Sequence, residues 1–241
     1  MTDALDPETG AILLVDKPIT WTSFNVVAKI RVGLLVVCGH RVKVGHGGTL
    51  DPLASGLLII GTGTHTKQLQ ALTDEDKTYT ATLRLGQSTL SYDAETDVEV
   101  ERPWEHIDEA TIRAVFPRFT GGIMQRPPDF SAKRFQGERA YRLARAGEEV
   151  DLPSVALTIH RLELQGIEGR DVTIEVHCSK GTYVRSLAHD IGEALGCGAH
   201  LVALRRTASG AFHVRDARTP QQWSEWLDRW ASKRAGREVQ R

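Results

Sequence analysis

The feature that most constrains the fold is a set of short segments in which apolar and polar residues alternate. In one of them, Tyr79, Ala81, Leu83 and Leu85 alternate with polar side chains. In another, residues 171–178, the apolar members are Val172, Ile174, Val176 and Cys178. Successive side chains of a β-strand point to opposite faces, so each segment predicts a strand with one buried face. Two further strands are predicted at residues 11–15 and 156–165.

Other segments repeat their apolar residues at the spacing of a helix. We predict four helices. The first is capped by Thr22 or Ser23, and the second is capped by Asp108 and reaches Phe119. The third follows residues 179–181 and is closed by Gly196, and the fourth begins at Thr219-Pro220. The residues expected to face inward are, in the first helix, Val26, Val27 and Ile30; in the second, Ile112, Val115, Phe116 and Phe119; in the third, Val184, Leu187, Ala188, Ile191 and Leu195; and in the fourth, Trp223, Trp226, Leu227 and Trp230. Strands and helices follow one another in irregular order. This order predicts an α+β fold with a mainly antiparallel central sheet flanked by helices.

The sequence shows no sign of a division into several domains. Its 241 residues contain no repeat and no low-complexity stretch, and no Pro/Gly/Ser-rich linker interrupts them before the C-terminal end. A chain of this length can bury roughly three quarters of its unfolded surface in a single core. We therefore predict one continuous domain.

Several classes of protein are disfavoured. Cys38, Cys178 and Cys197 are widely separated and form no Cys-x-x-Cys pair, which argues against a disulfide scaffold and a structural zinc site. The longest apolar run, residues 34–38, is far shorter than the roughly 20 residues of a membrane helix. Residues 1–10 lack the basic and apolar regions of a signal peptide. A cytoplasmic protein without membrane association is expected.

The formal net charge of −1 hides a segregated distribution of charge. Residues 118–145 carry seven basic and two acidic side chains, and residues 205–241 carry nine and four. Residues 26–43 have four basic residues and no acid, whereas residues 74–109 hold eleven acids against three bases. Such segments permit binding of a polyanion, and they fit solvated faces of mixed sign equally well.

A glycine-rich segment, residues 44–56, is the densest candidate for function. Four glycines surround His46 and Asp51, which lie five residues apart. Glycine allows positive φ and close backbone approach, so such a loop can press against a ligand. The segment lacks the Gly-Lys-Ser/Thr of a Walker phosphate loop and the Gly-x-Gly-x-x-Gly pattern of a dinucleotide-binding loop. On spacing alone it fits a binding loop or a tight surface turn in which Asp51 precedes Pro52.

A second candidate is the strand-turn-helix junction of residues 178–185. It places Arg185 in the first turn of the predicted helix, where a cation opposes the helix dipole. This position suggests an anionic partner such as a carboxylate or phosphate, and an ordinary surface arginine is the alternative.

A third candidate is a strip over residues 125–145 in which basic and aromatic side chains are interleaved. Its members are Lys133, Arg134, Arg139, Arg142 and Arg145 with Phe130, Phe135 and Tyr141. Basic side chains neutralise phosphates and aromatic rings stack on bases, so the strip suits folded or single-stranded RNA. A solvated helix face is the alternative.

Motifs spread over residues 11–215 together point to a family. They are Asp16-Lys17-Pro18, Gly45-His46-x-Gly-Thr-Leu-Asp51-Pro-Leu-Ala-x-Gly56, Lys77-x-Tyr79, Leu85-Gly86, Asp93-Ala94, Phe130-Ser131-Ala132-Lys133, Lys180-Gly181-Thr182-Tyr183-x-Arg185 and residues 196–206. This ordered series closely resembles the TruB family of tRNA pseudouridine-55 synthases. The resemblance favours the interpretation of residues 44–56 as a functional loop.

The resemblance implies a pseudouridine synthase-like catalytic domain at residues 1–215, with a thumb insertion at about 127–153. It implies an isomerase that converts the T-loop uridine at position 55 of tRNA to pseudouridine. The N1–C1′ bond breaks, the uracil turns and it is rejoined through C5, with no net redox change and with no cofactor or metal. The uridine must first be flipped out of its stack.

The resemblance also assigns roles to three catalytic residues. Asp51 matches the nucleophile, which attacks ribose C1′ or assists formation of a glycal, and these two routes stay open. Arg185 matches the arginine that pairs with this aspartate. Tyr79 matches the tyrosine that stacks on the flipped base and takes part in removing the C5 proton.

The remaining implied residues bind substrate. Asp93 matches the acid that also contacts the arginine, His46 a histidine that contacts the rearranged T-loop, and Leu204 an apolar residue of the base pocket. In the thumb, phosphate contacts that position the RNA are expected from Lys133, Arg139 and Arg142.

The chain departs from the family pattern at a few positions. Thr20 stands where the family usually has glycine, Gly47 stands where it often has threonine or alanine, and residues 89–91 are Thr-Leu-Ser in place of Thr-Asp-Thr. Residues 216–241 are too few for the PUA-like RNA-binding module of most bacterial relatives. They are expected to form one tryptophan-striped helix and a basic tail.

The motifs leave three functions to distinguish. The first is a monomeric enzyme that acts on the T-arm of tRNA without a guide RNA. The alternative is a tRNA-binding folding factor with secondary or no catalysis, which would have no need of Asp51, Tyr79 and Arg185 together. Guide-RNA-dependent relatives are disfavoured, because they rely on a C-terminal PUA module.

Overall fold

The computed structural model describes residues 5–238. The strands are β1 (Ile12–Lys17), β2 (Val44–His46), β3 (Ala54–Thr62), β4 (Lys77–Leu85), β5 (Gln87–Thr89), β6 (Val98–Glu101), β7 (Gly121–Gln125), β8 (Arg134–Phe135), β9 (Glu138–Arg139), β10 (Val155–Glu168), β11 (Asp171–Cys178), β12 (Ala199–Ser209) and β13 (Phe212–His213). The α-helices are α1 (Ser23–Cys38), α2 (Leu69–Asp74), α3 (Glu109–Val115), α4 (Ala140–Arg145), α5 (Val184–Leu195) and α6 (Pro220–Glu238). The strand pairs with a resolved register are antiparallel, which confirms the predicted α+β class.

The chain divides into two compact units, one of residues 1–75 and 205–241 and one of residues 76–204. The boundary at residues 204 and 205 falls inside β12. The prediction of one catalytic domain over residues 1–215 stays a prediction. Within residues 5–238, no helix has both the length and the apolar character needed to cross a bilayer.

The first unit is built on β3, which pairs with β1 and with β2. Residues 57–60 of β3 are a continuous apolar run and all are buried. The predicted helix α1 begins after Thr22, whose side chain accepts a hydrogen bond from the backbone of Asn25. Helix α6 packs against α1, and the indole of Trp223 donates a hydrogen bond to the carbonyl of Leu14 at 2.8 Å. Trp223, Trp226 and Leu227 of the predicted stripe are buried, whereas Trp230 is half-buried.

The second unit contains an antiparallel sheet in the order β4, β11, β10, β7. Its core joins the buried faces of these strands to α3 and α5. Helix α5 spans Val184–Leu195 and is capped by Gly196, in agreement with the predicted helix. The helix predicted from Asp108 to Phe119 is shorter than expected, because α3 ends at Val115 and a 3₁₀ turn at residues 116–119 contains Pro117.

Residues 127–153, the thumb of the sequence prediction, form a small folded module in the second unit. Strands β8 and β9 make a hairpin, followed by the six-residue helix α4. Ala140, Val150 and Leu152 form a small buried core, against which Phe135 and Leu143 pack. The basic strip is therefore carried on a hairpin and one short helix rather than on a single long helix face.

Candidate active site

The glycine-rich segment of the sequence forms the connection between β2 and β3 in the first unit. His46 is the last residue of β2, and Asp51 lies in the loop before β3. Gly56 has a φ of 100°, and a Cβ at this position would lie 2.3 Å from the carbonyl oxygen of Arg206. Only glycine permits this close approach, so the loop lies directly against the backbone of β12.

A buried arginine fixes the backbone around Asp51. The side chain of Arg206 is 1% exposed and donates hydrogen bonds to three carbonyl oxygens. They are those of Leu57 at 2.7 Å, Gly48 at 3.2 Å and Thr49 at 3.5 Å. Because the three acceptors flank Asp51 on both sides along the chain, one guanidinium holds the start and the end of the loop together.

Lys17 adds a second buried cation near Asp51. Its ammonium donates hydrogen bonds to the carbonyl oxygens of Trp21 at 2.6 Å and Pro18 at 3.0 Å. Burial lowers the pKa of Lys17 to about 8, the negative charge of Asp51 raises it, and Arg206 lowers it further. The opposing effect of Asp51 places its carboxylate within electrostatic range of the Lys17 ammonium.

His46 is half-buried at the start of the same loop. Burial lowers the pKa of His46, a backbone hydrogen bond with Gly48 opposes this shift, and the charge of Arg206 reinforces it. Its Nδ1 atom is buried and has no hydrogen-bond partner among the described residues. Burial therefore favours the neutral form of the ring at neutral pH.

In the second unit, the structure brings Arg185 and Asp93 together. Arg185 is the second residue of α5, and its guanidinium lies 3.3 Å from the Asp93 carboxylate. The two residues are 5% and 4% exposed, so this ion pair is buried. The same guanidinium donates hydrogen bonds to the carbonyl oxygens of Ser91 at 3.3 Å and Phe130 at 3.1 Å. An anionic partner thus accounts for a cation in the first turn of a helix.

The turn that carries Asp93 is rigidly built. The carboxylate accepts hydrogen bonds from the Ser91 hydroxyl at 2.6 Å and from the backbone of Glu95 at 2.9 Å. Tyr92 has a φ of 62°, and its ring stacks on that of His189 with the centroids 3.9 Å apart. Leu90, where the family pattern has aspartate, is 54% exposed, so the substitution leaves the contacts of Asp93 intact.

Tyr79 and Leu204 also belong to the second unit. Tyr79 lies on β4 opposite Val176 of β11 and is half-buried. Leu204 is half-buried on β12, and both side chains pack against the same hydrophobic core. Each can therefore support the core with one part of its surface and remain accessible with another.

The thumb residues lie at the surface of their module. Lys133, Arg139 and Arg142 are exposed. Arg139 donates a hydrogen bond to the carbonyl of Ala132, and Arg142 lies 3.7 Å from Glu138. Such loosely paired, exposed cations are suited to contacts with phosphate groups.

The predicted site residues come from both units. His46 and Asp51 lie in the first, together with Lys17 and Arg206, which the sequence analysis did not single out as site residues. A buried arginine is rare unless it is well paired, but no periodic pattern in the sequence marks Arg206 as buried. No group of three or more His, Cys, Asp or Glu side chains within residues 5–238 is arranged to hold a metal ion.

Comparison with protein families accounts for nearly the whole chain. The model of the TruB family pseudouridylate synthase N-terminal domain matches residues 36–184, and that of the tRNA pseudouridylate synthase B C-terminal domain matches residues 185–240. The tRNA pseudouridine synthase B of Phocaeicola vulgatus is 47% identical over 91% of this chain and 94% of its own length. That of Thermobifida fusca is 47% identical over 86% of this chain and 72% of its own length.

Solved structures agree with this assignment. The chain is similar to one in the crystal structure of a Cbf5-Nop10-Gar1 complex, with a TM-score of 0.63 and 35% identity over 86% of this chain. It is also similar to one in an H/ACA RNP bound to a substrate RNA containing 2′-deoxyuridine, with a TM-score of 0.68 and 31% identity over 94% of this chain. It spans 50% and 56% of those two chains. The family models and the curated relatives together establish that the chain belongs to the TruB family of pseudouridylate synthases.

Proposed function

We propose that this chain is a tRNA pseudouridine synthase that isomerises the T-loop uridine at position 55, with Asp51 as the nucleophile. The observation that carries the proposal is the fixed loop around Asp51, whose flanking carbonyls are held by the buried Arg206 in a chain of the TruB family. A nucleophile must be held in place before the substrate arrives, because small misplacements sharply reduce the rate.

The reaction needs no external reactant. The uridine is flipped out of the T-loop, the N1–C1′ bond breaks, and Asp51 attacks C1′ or assists formation of a glycal. The uracil turns and C5 bonds to C1′, as the Asp51–C1′ bond breaks or, in the glycal route, as C2′ regains its proton. C5 then loses its proton to solvent and N1 takes one up. Atoms and electrons balance without an oxidant or an energy source.

Other residues take supporting roles in this proposal. Tyr79 stacks on the flipped base and takes part in removal of the C5 proton, and Leu204 lines the base pocket. The buried pair of Arg185 and Asp93 presents the catalytic guanidinium in one fixed orientation. His46 contacts the T-loop through its neutral ring.

The thumb supplies the main electrostatic contact with the T-arm. Lys133, Arg139 and Arg142 approach the phosphate backbone, which positions the RNA without reading its sequence. We further propose that the enzyme acts in the cytoplasm as a monomer and on tRNA alone, without a guide RNA. The relative from Phocaeicola vulgatus, which is named as a tRNA enzyme, is matched over 94% of its length, in support of this proposal.

The proposal is tested with a tRNA transcript that carries tritium at C5 of its uracils. The purified protein should release tritium to water from this transcript. It should release none from a matched transcript that has cytidine at position 55. Binding without release would favour the tRNA-folding factor, and equal release from both transcripts would refute the T-loop site.

A further inference from the structure

We propose that Ser23, the first residue of α1, is a positioning residue for Asp51. This inference rests on the proposed function of Asp51. The Ser23 hydroxyl accepts a hydrogen bond from the backbone N–H of Leu50 at 2.8 Å and donates one to the Leu50 carbonyl at 3.1 Å. Both residues are buried, Ser23 at 3% and Leu50 at 4% exposure. One hydroxyl therefore satisfies both backbone polar groups of the residue that precedes Asp51.

The residue that follows Asp51 is held by the same segment. The backbone N–H of Thr20 donates a hydrogen bond to the carbonyl of Pro52 at 2.8 Å. The carbonyl of Asp51 itself accepts a hydrogen bond from the backbone of Ala54 at 3.0 Å. Both neighbours of Asp51 are thus held in place by Thr20 and Ser23.

The Ser23 hydroxyl is not required to cap the helix on which it lies. Thr22 performs that role, because its side chain and that of Asn25 each accept a hydrogen bond from the backbone of the other residue. The hydroxyl of Ser23 instead bonds to the backbone of Leu50 in the loop. An alanine at position 23 would leave the N–H and the carbonyl of Leu50 without these partners in a buried site.

The consequence for catalysis is specific. Ser23 is too deeply buried to contact tRNA, so its loss should not change the affinity for substrate. A shift of Asp51 by about 1 Å can reduce the rate on the order of 10²-fold. The expected signature is therefore a lower rate of the chemical step at unchanged binding.

The test compares Ser23→Ala with the control Thr22→Ala. The control removes the cap of the same helix and leaves the Asp51 loop untouched. The measurements are the single-turnover rate of tritium release at saturating tRNA, the Kd for tRNA and the thermal midpoint. We expect Ser23→Ala to slow the chemical step by about 10-fold or more with Kd within about twofold of wild type. Thr22→Ala should lose thermal stability and keep the wild-type rate.

Equal rates for the two variants would overturn the inference. If Ser23→Ala does not fold, Ser23→Cys keeps a similar volume and weakens both hydrogen bonds, and the same comparison with Thr22→Ala applies. Asp51→Asn separates this inference from the proposed function. An inactive Asp51→Asn beside a fully active Ser23→Ala would refute the positioning role alone, whereas an active Asp51→Asn would refute the proposed nucleophile.

Discussion

The buried ion pair of Arg185 and Asp93 leads to a quantitative prediction for Asp93→Asn. This substitution removes the charge of Asp93 and keeps its shape. The retained side-chain oxygen can still accept the hydrogen bonds from Ser91 and Glu95. What is lost is one charge-assisted contact with a guanidinium that is 5% exposed. Removing one partner of a buried ion pair costs about 3–5 kcal/mol, so we expect a loss of about 3 kcal/mol in the free energy of unfolding.

A control in the same unit isolates the effect of burial. Arg84 and Asp171 form an ion pair with two hydrogen bonds of 2.8 and 2.7 Å, and these bonds lower the pKa of Asp171. Its contacts are shorter than the 3.3 Å of the buried pair, but its side chains are 39% and 29% exposed. Exposed pairs contribute about 0–1 kcal/mol, so Asp171→Asn should cost less than Asp93→Asn in spite of its better geometry.

Urea unfolding followed by far-ultraviolet circular dichroism measures both variants under the same conditions. Single-turnover assays on the same samples should show a lower rate for Asp93→Asn and an unchanged rate for Asp171→Asn. If Asp171→Asn is the more destabilising change, burial does not determine the strength of the Arg185 pair and the reasoning is refuted.

Three further predictions concern other parts of the molecule. Thr20 has a φ of 73°, which strains a residue that carries a Cβ. Thr20→Gly should therefore raise the free energy of unfolding by about 1 kcal/mol and retain activity. A lower thermal midpoint would contradict this expectation. Lys17 has a pKa lowered to about 8 from 10.5, so the folded state loses this proton first and stability should rise with pH between these values. Urea titrations at a series of pH values measure this rise, and Lys17→Met should remove about 3 kcal/mol of it. If the free energy of unfolding rises equally with pH in the wild type and the variant, Lys17 keeps its ordinary pKa. The three thumb cations are Lys133, Arg139 and Arg142. Their replacement by alanine should weaken tRNA binding and reduce the slope of log binding constant against log salt concentration by up to about 3. An unchanged slope would show that these side chains only face solvent.

The sequence predicted those elements whose residues follow a clear period. The alternation in residues 171–178 matches β11, and the helical spacing after residue 183 matches α5. It did not reveal β3, because residues 57–60 are buried on both faces and therefore show no alternation. It did not reveal β12 either, because its pattern is broken by a charged residue, Arg206, that proves to be buried.

The candidate site was predicted in part, for a related reason. Motifs and the resemblance identified Asp51, Asp93 and Arg185, and the structure brings the last two into contact. The residues that hold the Asp51 loop were not identified. Ser23 reaches a carbonyl 27 positions away and Arg206 reaches one 158 positions away, and such contacts depend on tertiary structure rather than on any local pattern.

The most direct test of the account is the activity of Asp51→Asn. Asparagine preserves the size of the side chain and cannot act as a carboxylate nucleophile. With tritium-labelled tRNA at saturating concentration, we expect no release of tritium to water from the variant, while its Kd for tRNA stays close to that of the wild type. Release at the wild-type rate by Asp51→Asn would contradict the central claim that the Asp51 carboxylate performs the chemistry.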